Sequence, residues 1–342
     1  MAISKDGELL ASCGELDRTR PLLENRVPID GFQMRFVPDP YPSTGLLEDY
    51  QDVRNLRMIE DKAFDVCEVG FAPLMAALSK GLDLVAIPVF HYRRFRHTAI
   101  ACHVEAGIRR PADLIGKRVG IRRFALTAGV WARGMLQQDC GVPLDRIKWF
   151  VQTDTPLRPE VRARLDVTVV GEGGLVEDLL MRRVVDATIE PVNINPLRES
   201  SPLVHPLFED APAMEIDYYR RTGIFPIMHT IVMRRSLIER HPELPRKIHA
   251  AFVHAKALGT EEGHRRARYI LCHEERAWLA QLAPNDRLAF VGDDISPRDP
   301  WKYSLREDRK TVETFLDYAF EHGVTPRRFT IEEIFAPSTL DL

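Results

Sequence analysis

The chain has 342 residues, 45% of them hydrophobic, and a formal net charge of −3. That apolar share is ample for a packed core and sits more comfortably in two lobes than in one. The near-neutral balance argues against nucleic acid or an anionic membrane surface as a partner. Five scattered cysteines with no C-x-x-C pair (Cys13, Cys67, Cys102, Cys140, Cys272) argue against a disulfide framework or a zinc ribbon.

The N-terminus, MAISKDGELLASCGELDRT, lacks a basic start followed by an apolar run of signal-peptide length. No segment reaches the uninterrupted apolar length of a membrane span. The expectation is a soluble, reduced, cytoplasmic protein, with neither nucleic acid nor membrane as partner.

Strand and helix signals alternate from the start. GELLASC is a short apolar run, DRTRPLLENR a helix and FQMRFVP an alternating strand. LLEDYQDVRNLRMIEDK reads as a helix, FDVCEV as a strand, APLMAALSKG as a helix ending on Gly81, and LDLVAIPVF as a strand. Such a series implies right-handed crossovers between parallel strands. A second βαβ lobe follows over about residues 101–228. It holds a short Pro-initiated helix in IRRPADLIGK, a strand at 117–122, the helix TAGVWARGMLQQDCG, the strand RIKWFVQ, and a helix leading into DATIE. The proline-rich stretch 191–213 reads as an ordered loop, and GEGG at 171–174 as a turn. HTIVMRRSL (229–237) is a returning strand, and the rest is mostly helix.

IPVFHYRRFRHTAI (87–100) crowds His91, Arg93, Arg94, Arg96 and His97 around Phe95, directly after a buried-looking strand. A solvated basic turn is the ordinary reading of an arginine cluster. Phe95 argues instead that the segment packs, and a local cluster in a neutral chain suits an acidic small molecule better than a polyanion. In open α/β sheets ligands sit beyond the carboxyl ends of strands. Those ends deliver Glu15, Asp17 and Arg18; Glu68; Arg93, Phe95, Arg96 and His97; Arg122, Arg123 and Thr127; and Glu190. His229 starts the return strand.

Most of these residues have two readings. Glu68, after a buried strand, must meet a cation or a proton: it is either a structural ion pair or a general base. Asp17 reads more simply as a helix cap. Thr127 is either a plain N-cap or the start of an anion-binding helix end. Trp131 is either core or a ring-stacking partner. His97 and His229 are either hydrogen-bonded structural histidines or proton-transfer groups. The histidines of the helical tail (His241, His249, His254, His264, His273, His322) read as surface residues.

IRRPADLIGKRVG resembles the strand-entry motif of type II periplasmic binding proteins, in which two α/β lobes joined by two crossing strands close on a ligand. The implied fold has mixed sheets and a helical C-terminal region. Its lobe I would comprise 1–100 and 229–342, its lobe II 101–228, with crossings near 99–103 and 229–233 and the ligand between the lobes. Five ordered blocks carry a closer likeness: FDVCEV (64–69), IPVFHYRRFRH (87–97), PADLIGKRVG (111–120), TAGVWARGML (127–136) and TGIFPIMH (222–229). They resemble the 4,5-dihydroxyphthalate decarboxylases, which look like cytoplasmic enzymes on that fold. The chain departs from the family pattern at Val69 and Gly70, where a polar residue is usual, and at His91 and Tyr92, where proline and serine are usual.

The resemblance implies a carboxy-lyase acting on a small aromatic carboxylate. Losing CO2 from an aromatic ring requires a proton at the carbon bearing the carboxylate, an acceptor at the para hydroxyl, and cations on the spectator carboxylate. Glu68 or Glu190 would serve the hydroxyl, and His97 or His229 would be the acid. Arg18, Arg93, Arg96 and Arg122 would hold carboxylate, because arginine's planar fork donates two parallel hydrogen bonds. Phe95, Thr127 and Trp131 would complete the substrate contacts. Glu68, His97 and His229 together would also suit a divalent metal, but no H-E-x-x-H or related spacing supports one, and no cofactor is expected. A homo-oligomer is compatible with the sequence. The rival reading is a non-catalytic solute-binding protein of the ABC-transporter type.

Overall fold

Two sheets organise the chain, each with helices packed on it. The structure is a computed structural model and describes residues 8–37, 47–171, 176–189, 201–265, 278–292 and 298–342. In chain order the elements begin with β1 (Glu8–Ser12), α1 (Arg20–Leu23), β2 (Gln33–Phe36), α2 (Leu47–Ile59), β3 (Val66–Gly70), α3 (Phe71–Ser79) and β4 (Leu84–Arg93). Then come β5 (Ile100–His103), β6 (Arg118–Ile121), α4 (Thr127–Gln138), β7 (Lys148–Val151), α5 (Pro159–Arg162), β8 (Asp166–Val169), α6 (Val176–Met181), β9 (Ala187–Ile189), β10 (Val204–Pro206) and α7 (Ala211–Thr222). The chain continues with β11 (Ile227–Arg234), α8 (Arg235–Arg240), α9 (Leu244–Arg265), α10 (Pro284–Val291), α11 (Leu305–Glu321) and α12 (Ile331–Ile334).

The chain divides into two units. One holds Met1–Arg94, Ile227–Val312 and Phe329–Leu342; the other holds Phe95–Pro226 and Glu313–Arg328. The C-terminal half of α11 thus packs with the second unit rather than with the first lobe, as the sequence suggested. Gly134 of α4 explains this placement: a Cβ there would stand 2.1 Å from the Tyr318 ring, so only glycine lets α11 come this close.

In the first unit the strand order is β2-β1-β3-β11-β4. β1 is parallel to β2 and β3, and β11 runs antiparallel to both β3 and β4. Leu9, Val66, Val85, Ile87, Ile231 and Met233 meet Ile248, Phe252 and Ala255 of α9 in the core. β4 is buried along nearly its whole length, as a strand covered on both faces must be. Its pairing with β11 shifts register between His229 and Ile231. Pro88 lies in the shifted stretch, and without an N–H it cannot continue a regular ladder. The Thr230 hydroxyl donates to the Ile87 carbonyl there, at 2.7 Å.

In the second unit the order is β10-β5-β9-β6-β7-β8, with β5 antiparallel to β9 and β10 and the other pairs parallel. Val119, Ile121, Trp149 and Val151 pack on Ala132, Met135 and Leu136 of α4.

Two expectations needed revision, and one strand had gone unread. β11 ends at Arg234 because Arg235 opens a helix, so the strand does not reach residue 237. The end of the expected 191–213 loop is instead the start of α7. Asp210 caps it by accepting from the Ala213 amide at 3.2 Å, Pro212 lies in its first turn, and Gly223 ends it at φ +72°. β8 gave no sequence signal because it is a largely exposed strand at the end of its sheet, without an apolar run. Among the described residues no helix is long and apolar enough to cross a membrane.

Candidate active site: a carboxylate held between an arginine and two histidines

β3 and β11 pair so that Ile231 opposes Glu68 and His229 opposes Gly70. The two-residue period of a strand then puts Glu68 and His229 diagonally on one sheet face. The His229 Nδ1 donates to Glu68 Oε1 in a very short hydrogen bond. Glu68 is 4% exposed and its other oxygen is fully engaged. Oε2 accepts from the Gly14 amide at 2.6 Å and pairs with Arg54 Nη1 at 2.7 Å. His91 Nε2 stands 3.0 Å from the same oxygen, out of line for a straight hydrogen bond.

Each partner is positioned by a different element. Arg54 comes from α2 and is itself 4% exposed. Gly14 follows β1, and a Cβ there would meet Glu68 Oε2 at 3.2 Å. His91 lies in the irregular stretch of β4. Arg18, buried under the Trp301 ring at 5.3 Å, donates its Nε to the His91 carbonyl. Tyr92, next in β4, packs its ring 5.0 Å from that of His229.

The electrostatics follow from burial and pairing. Burial would push the Glu68 carboxyl up, but Arg54, His91 and the His229 hydrogen bond outweigh it and hold it well below the usual carboxylate range. Burial lowers the His229 pKa, with Glu68 working against that shift. His229 is therefore neutral at pH 7. Its proton sits on Nδ1, facing the carboxylate, which leaves Nε2 as an acceptor. Among the described residues no protein group hydrogen-bonds that Nε2, and the side chain keeps 8% of its surface accessible. A carboxylate behind an imidazole whose far nitrogen is open is the arrangement of a general base. Glu68 itself is enclosed by protein partners, with Gly14 and Arg54 on one oxygen and His229 on the other.

The other candidates from the sequence have different surroundings. His97 belongs to the second unit, 2% exposed, with its ring 5.2 Å from Phe208 and 5.7 Å from Tyr218. Its Nδ1 is 3.8 Å from Glu215, too far for a hydrogen bond, and burial lowers its pKa to about 4. At neutral pH it is therefore an uncharged imidazole, not the imidazolium that would serve as an acid. Arg93 is 1% exposed and pairs through both terminal nitrogens with Asp308, as a core ion pair does. Phe95 stacks on Phe225 at 4.8 Å, and Arg96 is likewise buried, so the basic stretch is no solvated turn. Trp131 is core, against Phe315 and Tyr318. Thr127 is the first residue of α4 and Leu126 occupies its N-cap position, so Thr127 is not the cap. Arg122 is half-buried in the second unit. Glu190 lies outside the described residues, as does His273. His249 and His322, expected on the surface, are buried. Among the described residues no group of three or more His, Cys, Asp and Glu side chains is arranged to hold a metal.

Arg54 and Gly14 had no part in the sequence reading. The only signal for Arg54 was indirect: a carboxylate ending a buried strand demands a cation, but nothing local says which one.

No family model matches the chain. It is similar to a 4,5-dihydroxyphthalate decarboxylase from Comamonas testosteroni, at 30% identity over 351 aligned positions that span 98% of each protein. The chain belongs to the 4,5-dihydroxyphthalate decarboxylase family. A second member, a 4,5-dihydroxyphthalate decarboxylase from Pseudomonas putida, is 29% identical over 219 positions, covering 62% of this chain and 81% of the relative. Among solved structures, the periplasmic aliphatic sulphonate binding protein SsuA from Escherichia coli superposes with a TM-score of 0.50 at 16% identity, covering 96% of this chain and 92% of its own. The fold is thus that of the periplasmic binding proteins, with two mixed sheets. His91 and Tyr92 both touch the Glu68–His229 pair.

Proposed function

We propose that this chain catalyses the non-oxidative decarboxylation of a hydroxylated aromatic dicarboxylate of the 4,5-dihydroxyphthalate type, giving CO2 and a protocatechuate-like product. The observation that carries this reading is the end-to-end match to a curated decarboxylase of that name. In the proposed mechanism, His229 Nε2 accepts the proton of the hydroxyl para to the departing carboxylate. Glu68 stabilises the imidazolium that forms. The phenolate electron pair moves into the ring, and the carbon bearing the carboxylate takes a proton from solvent water. The C–C bond then breaks, its electrons restore the aromatic ring, and CO2 leaves. The phenolate regains its proton from His229. The net change is one carboxylate replaced by one hydrogen, with no oxidant or reductant. Glu68 is a positioning residue in this scheme and His229 the catalytic one.

The test is incubation of the purified protein with 4,5-dihydroxyphthalate in D2O, following released CO2 and the aromatic product by mass spectrometry. The expected product has lost one carboxylate and carries one non-exchanging ring deuterium at the vacated carbon. Tight binding of the acid with no CO2 released would instead support the solute-binding alternative and overturn this reading.

A further inference from the structure

The second unit contains a cavity of about 300 Å³ whose wall joins α4, α5 and the end of α11. Phe124, Leu144, Val161 and Leu165 supply apolar wall, and Arg133 and His322 supply polar wall. Arg133 is fully buried. Its Nη2 donates to the Phe124 carbonyl at 2.7 Å, and its guanidinium lies over the Phe124 ring at 4.8 Å. Nε and Nη1 have no hydrogen-bond partner, and among the described residues no carboxylate pairs with the group. His322 is 4% exposed, and neither of its ring nitrogens has a partner. Its ring stacks on Tyr318 at 5.9 Å, which fixes its orientation.

A buried guanidinium without a counter-ion is strongly unfavourable, and two unsatisfied imidazole nitrogens beside it add to that. The sequence nevertheless provides for the arrangement. Gly129 lacks the Cβ that would stand 3.1 Å from Arg133 Nη1, and Gly134 admits the Tyr318 ring that supports His322. Burial lowers Arg133 only to about 9, so it stays cationic at neutral pH. Burial, and after it the nearby Arg133 charge, keep His322 neutral.

We propose that this cavity is a binding site for a small organic monocarboxylate with an apolar body, gripped by Arg133 and His322. The donor set matches such a ligand. The free Nε and Nη1 of Arg133 supply N–H donors, a neutral His322 supplies one more, and a carboxylate presents two oxygens to receive them. Charge favours a monoanion. Among the described residues Arg133 is the one buried cation of the wall and balances one negative charge, while the exposed Arg164 offsets only one of the two carboxylates Asp145 and Glu321, so a dianion such as sulfate or phosphate is less well matched. The apolar wall and the volume suit a benzoate-sized body better than a bare inorganic ion. The site lies wholly in the second unit, so the proposal does not depend on the role given to His229.

The test uses benzoate as the probe and benzamide as the neutral control, on the full chain carrying 13C-labelled histidine. The His322 resonance is assigned by comparison with His322→Gln. Benzoate should shift that resonance saturably, and benzamide should not. Arg133→Met, which keeps the side-chain volume and removes the charge, should weaken the effect roughly tenfold or more. Leu165→Trp, which fills the cavity from its half-buried rim and leaves both polar residues in place, should abolish the shift. Both variants should decarboxylate with parental kcat and KM. Should Arg133→Met fail to fold, Leu165→Trp decides alone. A His322 resonance that benzoate does not move, or one that shifts equally in the folded variants, would overturn the proposal.

Discussion

Replacing Glu68 by Gln removes one charge from the centre of the proposed site and keeps its shape. Arg54 is 4% exposed and lies 2.7 Å from the carboxylate, so the substitution leaves a buried cation without its counter-ion. Breaking one side of a buried pair costs about 3–5 kcal/mol. The amide also introduces an N–H2 among groups that all donate to the carboxylate, namely Gly14 N, Arg54 and His229 Nδ1. A loss of about 3 kcal/mol is expected, against a total stability of about 5–15 kcal/mol for a typical domain, so Glu68→Gln should still fold at room temperature. Turnover should fall much further, by about 10²–10⁴, because nothing then stabilises the imidazolium of His229. The double variant Glu68→Gln/Arg54→Met separates the two effects. Removing the orphaned cation should recover about 2 kcal/mol without restoring turnover. Urea melts and kcat at equal folded concentration measure both. If Glu68→Gln keeps kcat within about threefold of the parent, the carboxylate is not supporting a catalytic base. If the double variant is no more stable than the single one, the charge argument fails.

The remaining predictions concern neighbouring groups. His229→Gln should lower kcat by about 10²–10⁴ and alter KM little. Because burial holds its pKa below 6.5, the parent kcat should decline only on the acid side of that value, and the residual rate of the variant should lack that limb. For His97, the folded pKa of about 4 lies under the ordinary 6.5, so the unfolded chain takes up the proton first and stability falls as pH drops through that window. Between pH 7 and pH 5 the loss from this residue is about 2 kcal/mol. His97→Phe should remove that part of the acid dependence in denaturant melts at the two pH values while leaving turnover in place. Asp308→Asn strands the buried Arg93 guanidinium and should cost about 3–5 kcal/mol by thermal or urea melts, with KM unchanged in the folded fraction. A raised KM with parental stability would return Arg93 to substrate binding.

Much of the architecture was already legible in the sequence because it follows from local patterns. The strand-helix order, Gly81 closing α3 at φ +71°, and the five blocks that resemble the decarboxylases all lie in short contiguous stretches. The need for a cation beside Glu68 was legible too, since a carboxylate at the end of a buried strand cannot stand alone. The identity of that cation was not. Arg54 reaches Glu68 only through the packing of α2 on β3, and helical periodicity carries no information about which strand a helix will cover. His91 joins the site through a register shift in β4, a feature of strand pairing rather than of either strand alone. The same reason explains His97 and His322. Charge and position marked the first as functional and the second as surface, yet Phe208 and Tyr218, distant in sequence, enclose His97, and His322 shares a cavity wall with the equally distant Phe124 and Arg133. What the chain determined alone is the set of elements and the family they belong to. Which titratable groups share a low-dielectric neighbourhood, and hence which hold or release a proton near neutral pH, was decided only when those elements packed.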